Sequence, residues 1–110
     1  MNKKTLLAVL LSFSSVAFAS TWSNVTLIDK QCSRKAADNP DAHTRQCAMG
    51  CAGSGYGILT SDGKFLKFDK AGDEKATSLL KQTDKKDHLR VTVDGEEKDG
   101  IVNVKSVKMD

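Results

Sequence analysis

Alternation and helical spacing divide the chain into a short series of elements. From Trp22 to Lys30, W-S-N-V-T-L-I-D-K, β-branched and aromatic residues dominate, the composition of a strand. Val25 and Leu27 face one way and Thr26 and Ile28 the other, so both faces are expected to be partly covered. Cys32 to Asp38 is polar and reads as loop. Asn39-Pro40-Asp41 reads as a helix start: Asn39 caps, Pro40 suits the first helical position, and Asp41 complements the dipole. That helix is predicted from Pro40 to Ala48 or Ala52, weakened by Gly50 and ended by Gly53. Tyr56–Ser61 and Lys64–Asp69 flank the turn signal Ser61-Asp62-Gly63 and form a hairpin. Over Asp73–Gln82, Ala76, Leu79 and Leu80 share the i, i+3, i+4 stripe of a second helix. Leu89, Val91 and Val93 alternate with Arg90 and Thr92 as a half-buried strand. Asp94-Gly95 is expected to open a turn that closes by Gly100, and Ile101–Lys108 is the last strand.

The expected fold is therefore mainly β with two short helices. Five strands with a helix between the third and fourth follow the order of the OB-fold barrel, here with a helical insertion between the first two strands. Closure would remove the sheet edges. An open antiparallel sheet with one covering helix is the runner-up. No repeat, low-complexity tract or long linker divides residues 20–110, which read as one domain.

Residues 1–19 read as a processing signal. Lys3 and Lys4 precede an apolar run from Leu6 to Phe18, and Ala17-Phe18-Ala19 fits the small-x-small cleavage rule. Cleavage is expected after Ala19, and no cysteine follows to suggest a lipid anchor. No later apolar run approaches the roughly 20 residues of a membrane span. The bacterial form of this signal implies the periplasm or the medium. Without Lys3 and Lys4, the seventeen basic residues of the chain fall to fifteen, against fourteen acidic ones. So near-neutral a charge, with both signs interleaved, is poor evidence for nucleic acid or an anionic membrane as partner. A domain of this size has a thin stability margin, and a covalent staple would help it.

Candidate chemistry concentrates in H-T-R-Q-C-A-M-G-C, His43 to Cys51, with Cys32 upstream. Three cysteines in an oxidising compartment allow one disulfide and one thiol. The pattern Trp22…Asp29-x-x-Cys32, Cys47-x-x-x-Cys51 leading through Gly55 to a hairpin, then V-T-V-D-G-E…V-K-S-V-K-M, resembles a group of small exported bacterial OB-fold-like domains of unknown function. That resemblance covers most of residues 20–110 and implies an exported barrel, with no assigned activity.

The favoured reading is a staple from Cys32 to Cys47 or Cys51. Closing such a loop of about 15 to 19 residues is worth roughly 3 kcal/mol. Cys32–Cys51 is slightly preferred, because the glycines beside Cys51 let the backbone meet disulfide geometry. Cys47 would then be left as a small apolar side chain. The alternative is a copper or zinc site. On one helix Cys47 and Cys51 lie about 6 Å apart on a common face, and Cys32 could add a third thiolate. C-x-x-x-C also resembles the spacing of some exported copper-handling proteins. His43 could join only if the helix bends, because an unbroken helix puts it about 12 Å from Cys51. Otherwise it reads as a surface residue, and His88 as the exposed start of a strand.

Other chemistries find little support. Thiol redox catalysis would want C-x-x-C at a helix N-terminus, not C-x-x-x-C toward its end. The run G-S-G-Y-G follows a helix instead of leading into one, so it is no phosphate cradle. Asn24-Val25-Thr26 is formally a glycosylation sequon but sits in a strand. No catalytic set stands out, and the aromatics are too few for a single-strand-binding face. The expectation is a small non-enzymatic binding or stress-associated envelope protein, serving a small ligand or an envelope partner, with a periplasmic copper or zinc protein as the alternative.

Overall fold

The computed structural model describes residues 19–110, so the expected signal lies almost wholly outside the described residues. Five strands form: β1 (Ala19–Asp29), β2 (Tyr56–Leu59), β3 (Phe65–Phe68), β4 (Arg90–Lys98) and β5 (Ile101–Met109). They close into a barrel in the order β1-β2-β3-β5-β4, with β4 paired back to β1. Neighbours are antiparallel except β3 and β5, which run parallel through Lys67↔Ile101 and Phe68↔Val102. Among the described residues no helix is long and apolar enough to cross a membrane.

The alternating pattern fills the core. Val91 and Val93 of β4, Val102 and Val104 of β5, and Val25 and Leu27 of β1 meet Ile58, Leu66 and Phe68. Each such side chain contributes about 1.5–3 kcal/mol when fully buried. The helix α3 (Lys70–Gln82) adds Ala76 and Leu80 to the same cluster, with Leu79 at its border. It starts three residues before the predicted Asp73, because Asp69 caps it by accepting from the Gly72 N–H at 2.9 Å. The same Oδ1 accepts from the Val104 N–H at 3.2 Å, tying the cap to β5.

Local conflicts shape the other strands. β1 carries one extra residue against β4 between Trp22 and Val25, and Asn24 takes φ +55 there. Such a bulge bends the strand, and from Val25 to Asp29 every residue is buried. Thr26 and Ile28, on the outward row, are as covered as Val25 and Leu27.

The expected turn at Asp94-Gly95 is not formed. β4 runs through it with a register shift and turns at Asp99-Gly100, both left-handed, at φ +56 and +81. Asp-Gly occurs at both places, and the second pair makes the two-residue hairpin that right-twisted strands favour.

Between β1 and β2 lie two short helices, not one, which makes three among the described residues. The stretch expected as loop contains a single turn, α1 (Ser33–Ala36). The helix predicted from Pro40 is broken. Pro40–Ala42 forms one 3-10 turn without a side-chain cap from Asn39, His43 is extended, and α2 (Arg45–Gly50) starts afresh with Thr44 as cap. The Thr44 hydroxyl accepts from the Cys47 N–H at 3.1 Å.

Candidate functional site

Strand parity places a carboxylate in the interior. Residues two apart share a face, so Asp29 continues the inward row of Val25 and Leu27 to the end of β1, opposite Tyr56. It is fully buried. An anion there is costly unless compensated, and its oxygens are engaged. Oδ1 lies 2.8 Å from Nε2 of His43, and Oδ2 accepts from the Cys32 N–H at 2.9 Å.

The break in the insertion now has a cause. By staying extended, His43 reaches back to Asp29, and its side chain keeps only 7% exposure. The expected surface histidine is thus an interior partner, and Thr44 restarts the helix once that contact is made. The unbroken helix that would have kept His43 away from Cys51 is not formed.

The turn after β1 brings Cys32 to the same place. One oxygen of Asp29, Sγ of Cys32 and Sγ of Cys51 all lie within 4.8 Å of one another. Cys51 is held from the other side. It ends α2, and a 3-10 turn, Ala52–Ser54, leads to Gly55 at φ +84. Gly55 accepts from the Lys30 N–H at 2.8 Å, and the Ser54 hydroxyl accepts from the Gln31 N–H at 3.2 Å. The two cysteine-bearing turns are thus stitched by backbone and hydroxyl bonds. Tyr56 closes the floor: it is buried, its hydroxyl donates to Ala48 O at 3.0 Å, and its N–H donates to Asp73 at 2.8 Å.

The surroundings disfavour charge on the thiol. Burial, then the charge and hydrogen bonding of Asp29, then Cys51, push Cys32 up to about 11. Tyr56 is raised as well, by burial first and then by the charges of Asp29, Asp73 and Cys51. At neutral pH the Cys32 thiol is protonated and sluggish as a nucleophile. All three cysteines are thiols in this structure.

Of the sequence candidates, the fold brings Cys32, Cys51 and, through Asp29, His43 together. Cys47 is set apart, exposed in the first turn of α2. It lines an open cleft of about 360 Å³ together with Cys32, Lys35, Ala42 and His43. Asp29 entered the sequence reading only within the pattern Asp29-x-x-Cys32, with no role at the site, although its parity with Val25 and Leu27 places it inward. No protein-family model matches the chain, and no curated protein sequence or solved structure matches it either.

Proposed function

We propose that the chain is a small exported, OB-like, non-enzymatic binding module whose helical insertion is fastened to β1 by a Cys32–Cys51 disulfide. The strand order β1-β2-β3-β5-β4, with α3 between β3 and β4, supports the OB-like reading, because that is the order of an OB barrel. The apolar run with its small-x-small end supports export to the periplasm or medium, and the partner is then a small ligand or an envelope protein. One observation carries the staple: the sulfurs of Cys32 and Cys51 meet within 4.8 Å, with Cys47 outside the group. A disulfide needs them at about 2.0 Å. Closing the loop is worth roughly 3 kcal/mol.

Intact mass and thiol counting on protein recovered from an oxidising compartment should give one disulfide and one thiol, at Cys47. Cys32→Ser and Cys51→Ser should each cost about 2–5 kcal/mol, and Cys47→Ser much less. A bridge containing Cys47, or three thiols in that material, would refute the staple. A second reading, a metal protein, is favoured by one observation, the buried Asp29 carboxylate beside the two thiols.

A further inference from the structure

A disulfide accounts for two sulfurs but not for the carboxylate between them. Asp29 is fully buried, and its two oxygens receive one hydrogen bond each, from His43 and from the Cys32 N–H. An ionised carboxyl has about four acceptor directions, so Asp29 can accept beyond His43 and the Cys32 N–H, and the Cys32 thiol already bears on it. Cys32 Sγ and Cys51 Sγ complete a triangle of donor atoms no more than 4.8 Å on a side. A tetrahedral ion with bonds of about 2.0–2.3 Å would need edges of roughly 3.5–3.8 Å. The triangle therefore has to close by no more than roughly an ångström on a side to meet an ion.

We infer that the reduced chain binds one zinc ion through Asp29, Cys32 and Cys51, with His43 positioning the carboxylate. The site shares its sulfurs with the disulfide proposed above, in their unpaired state, and does not require that disulfide ever to form. Two thiolates and a carboxylate are a borderline donor set: too hard for copper(I), which seeks sulfur alone, and too soft for calcium or magnesium. On binding, each thiol gives its proton to solvent, so zinc enters with release of two protons, and water fills the fourth position. Asp29 is already held on its far side by His43, as outer-shell partners hold ligands in metal sites. Cys47, exposed on α2, is not a ligand.

Oxidation and metal then exclude each other. A disulfide donor converts the two thiols to Cys32–S–S–Cys51 and leaves as two thiols of its own, which removes both sulfur ligands. Retention of the metal then follows the redox state of the surroundings.

The test uses the full chain, reduced and metal-free, titrated with zinc chloride against a chromophoric chelator. Cobalt(II) serves as a spectroscopic stand-in. One zinc per chain is expected, with cobalt bands of a tetrahedral sulfur-bearing site. Cys51→Ser and Asp29→Asn should weaken binding more than about 100-fold. His43→Ala should weaken it about 10–100-fold, as loss of an outer-shell partner does, and His43→Gln, which can still donate to Asp29, should restore most of it. Cys47→Ser should bind like the parent. Far-UV circular dichroism checks that each variant is folded, and if Asp29→Asn is not, Cys51→Ser and the His43 pair still decide.

Unchanged affinity in Asp29→Asn, dependence on Cys47, or no binding by the reduced parent would overturn the inference. Copper(I) that displaces zinc without needing Asp29 would do the same. Mild oxidation with diamide separates the two readings. A Cys32–Cys51 bridge in protein that never binds zinc leaves the staple alone standing. Zinc binding in protein that never forms the bridge leaves the metal site alone standing.

Discussion

Replacing glycine by alanine in a helix usually stabilises it, and at Gly72 the opposite is expected. Gly72 is buried in the first turn of α3, where that helix crosses β3 and β5. A Cβ there would lie 2.5 Å from Cγ2 of Val104, 2.7 Å from Cβ of Phe68 and 2.9 Å from Cγ of Phe68. Carbon atoms prefer about 3.5–4.0 Å, so helix and sheet would have to part by roughly an ångström. Phe68 Cβ cannot swing aside, because it is fixed to the backbone of β3. Overpacking of this kind costs about 1–3 kcal/mol, while the helical preference for alanine returns at most about 1 kcal/mol. The net expectation for Gly72→Ala is a loss of about 1–2 kcal/mol, roughly 5–15 °C in Tm for a domain of this size. Gly50 is the control: it ends α2 with nothing within 4 Å of its would-be Cβ, so Gly50→Ala should be neutral or slightly stabilising. Urea unfolding of both variants under reducing conditions, followed by circular dichroism, reads the contrast. If Gly72→Ala is as stable as Gly50→Ala, α3 does not seat on Phe68 and Val104 as described.

Three further outcomes are expected. Tyr56→Phe removes the buried hydroxyl that bonds Ala48 O and should cost about 1–2 kcal/mol in urea unfolding, since that carbonyl loses its side-chain partner. Asp41 forms a two-pronged pair with Arg90, which holds its carboxyl below the usual range through hydrogen bonding first and charge second. Its contribution should be complete above its ordinary pKa of about 3.9 and fade as pH falls through the lower folded value. Asp41→Asn should therefore flatten the acid limb of a stability–pH profile, and an unchanged limb would count against the pair. In the reduced chain at pH 8, iodoacetamide should label exposed Cys47 well before Cys32, whose thiol stays protonated until about pH 11. Peptide mapping that found Cys32 labelled first would contradict its placement.

The barrel was legible because its strands obey local rules. Val91 and Val93 alternate with polar neighbours, Ser61-Asp62-Gly63 marks a turn, and Ala76 and Leu80 share one face of α3. What escaped was decided by contacts distant in sequence. Asn39-Pro40 has every local mark of a helix start, yet no helix runs on from it, because His43 is drawn out of line to Asp29. Thr44, three residues before Cys47, carried the true capping signal but lay inside the expected helix. At β4 two Asp-Gly pairs compete on equal local terms, and pairing with β5 selects the later one. The cysteine cluster was legible as residues, but its membership was not. Asp29 enters, and Cys47 drops out, only once the two turns around Cys32 and Cys51 are folded against each other.

β1 pairs with β2 on one side and with β4 on the other, and Trp22 meets Val93 almost at the far end of the chain. The hairpins β2–β3 and β4–β5 join neighbours across short turns, so they have low contact order and can form early. Of the described strands, β1 is then the last to find both partners. Until it does, β2 and β4 each present a bare row of amides and carbonyls to any other chain. The seam that makes the finished barrel free of edges is also the interval in which a nascent copy is most open to pairing with its neighbour.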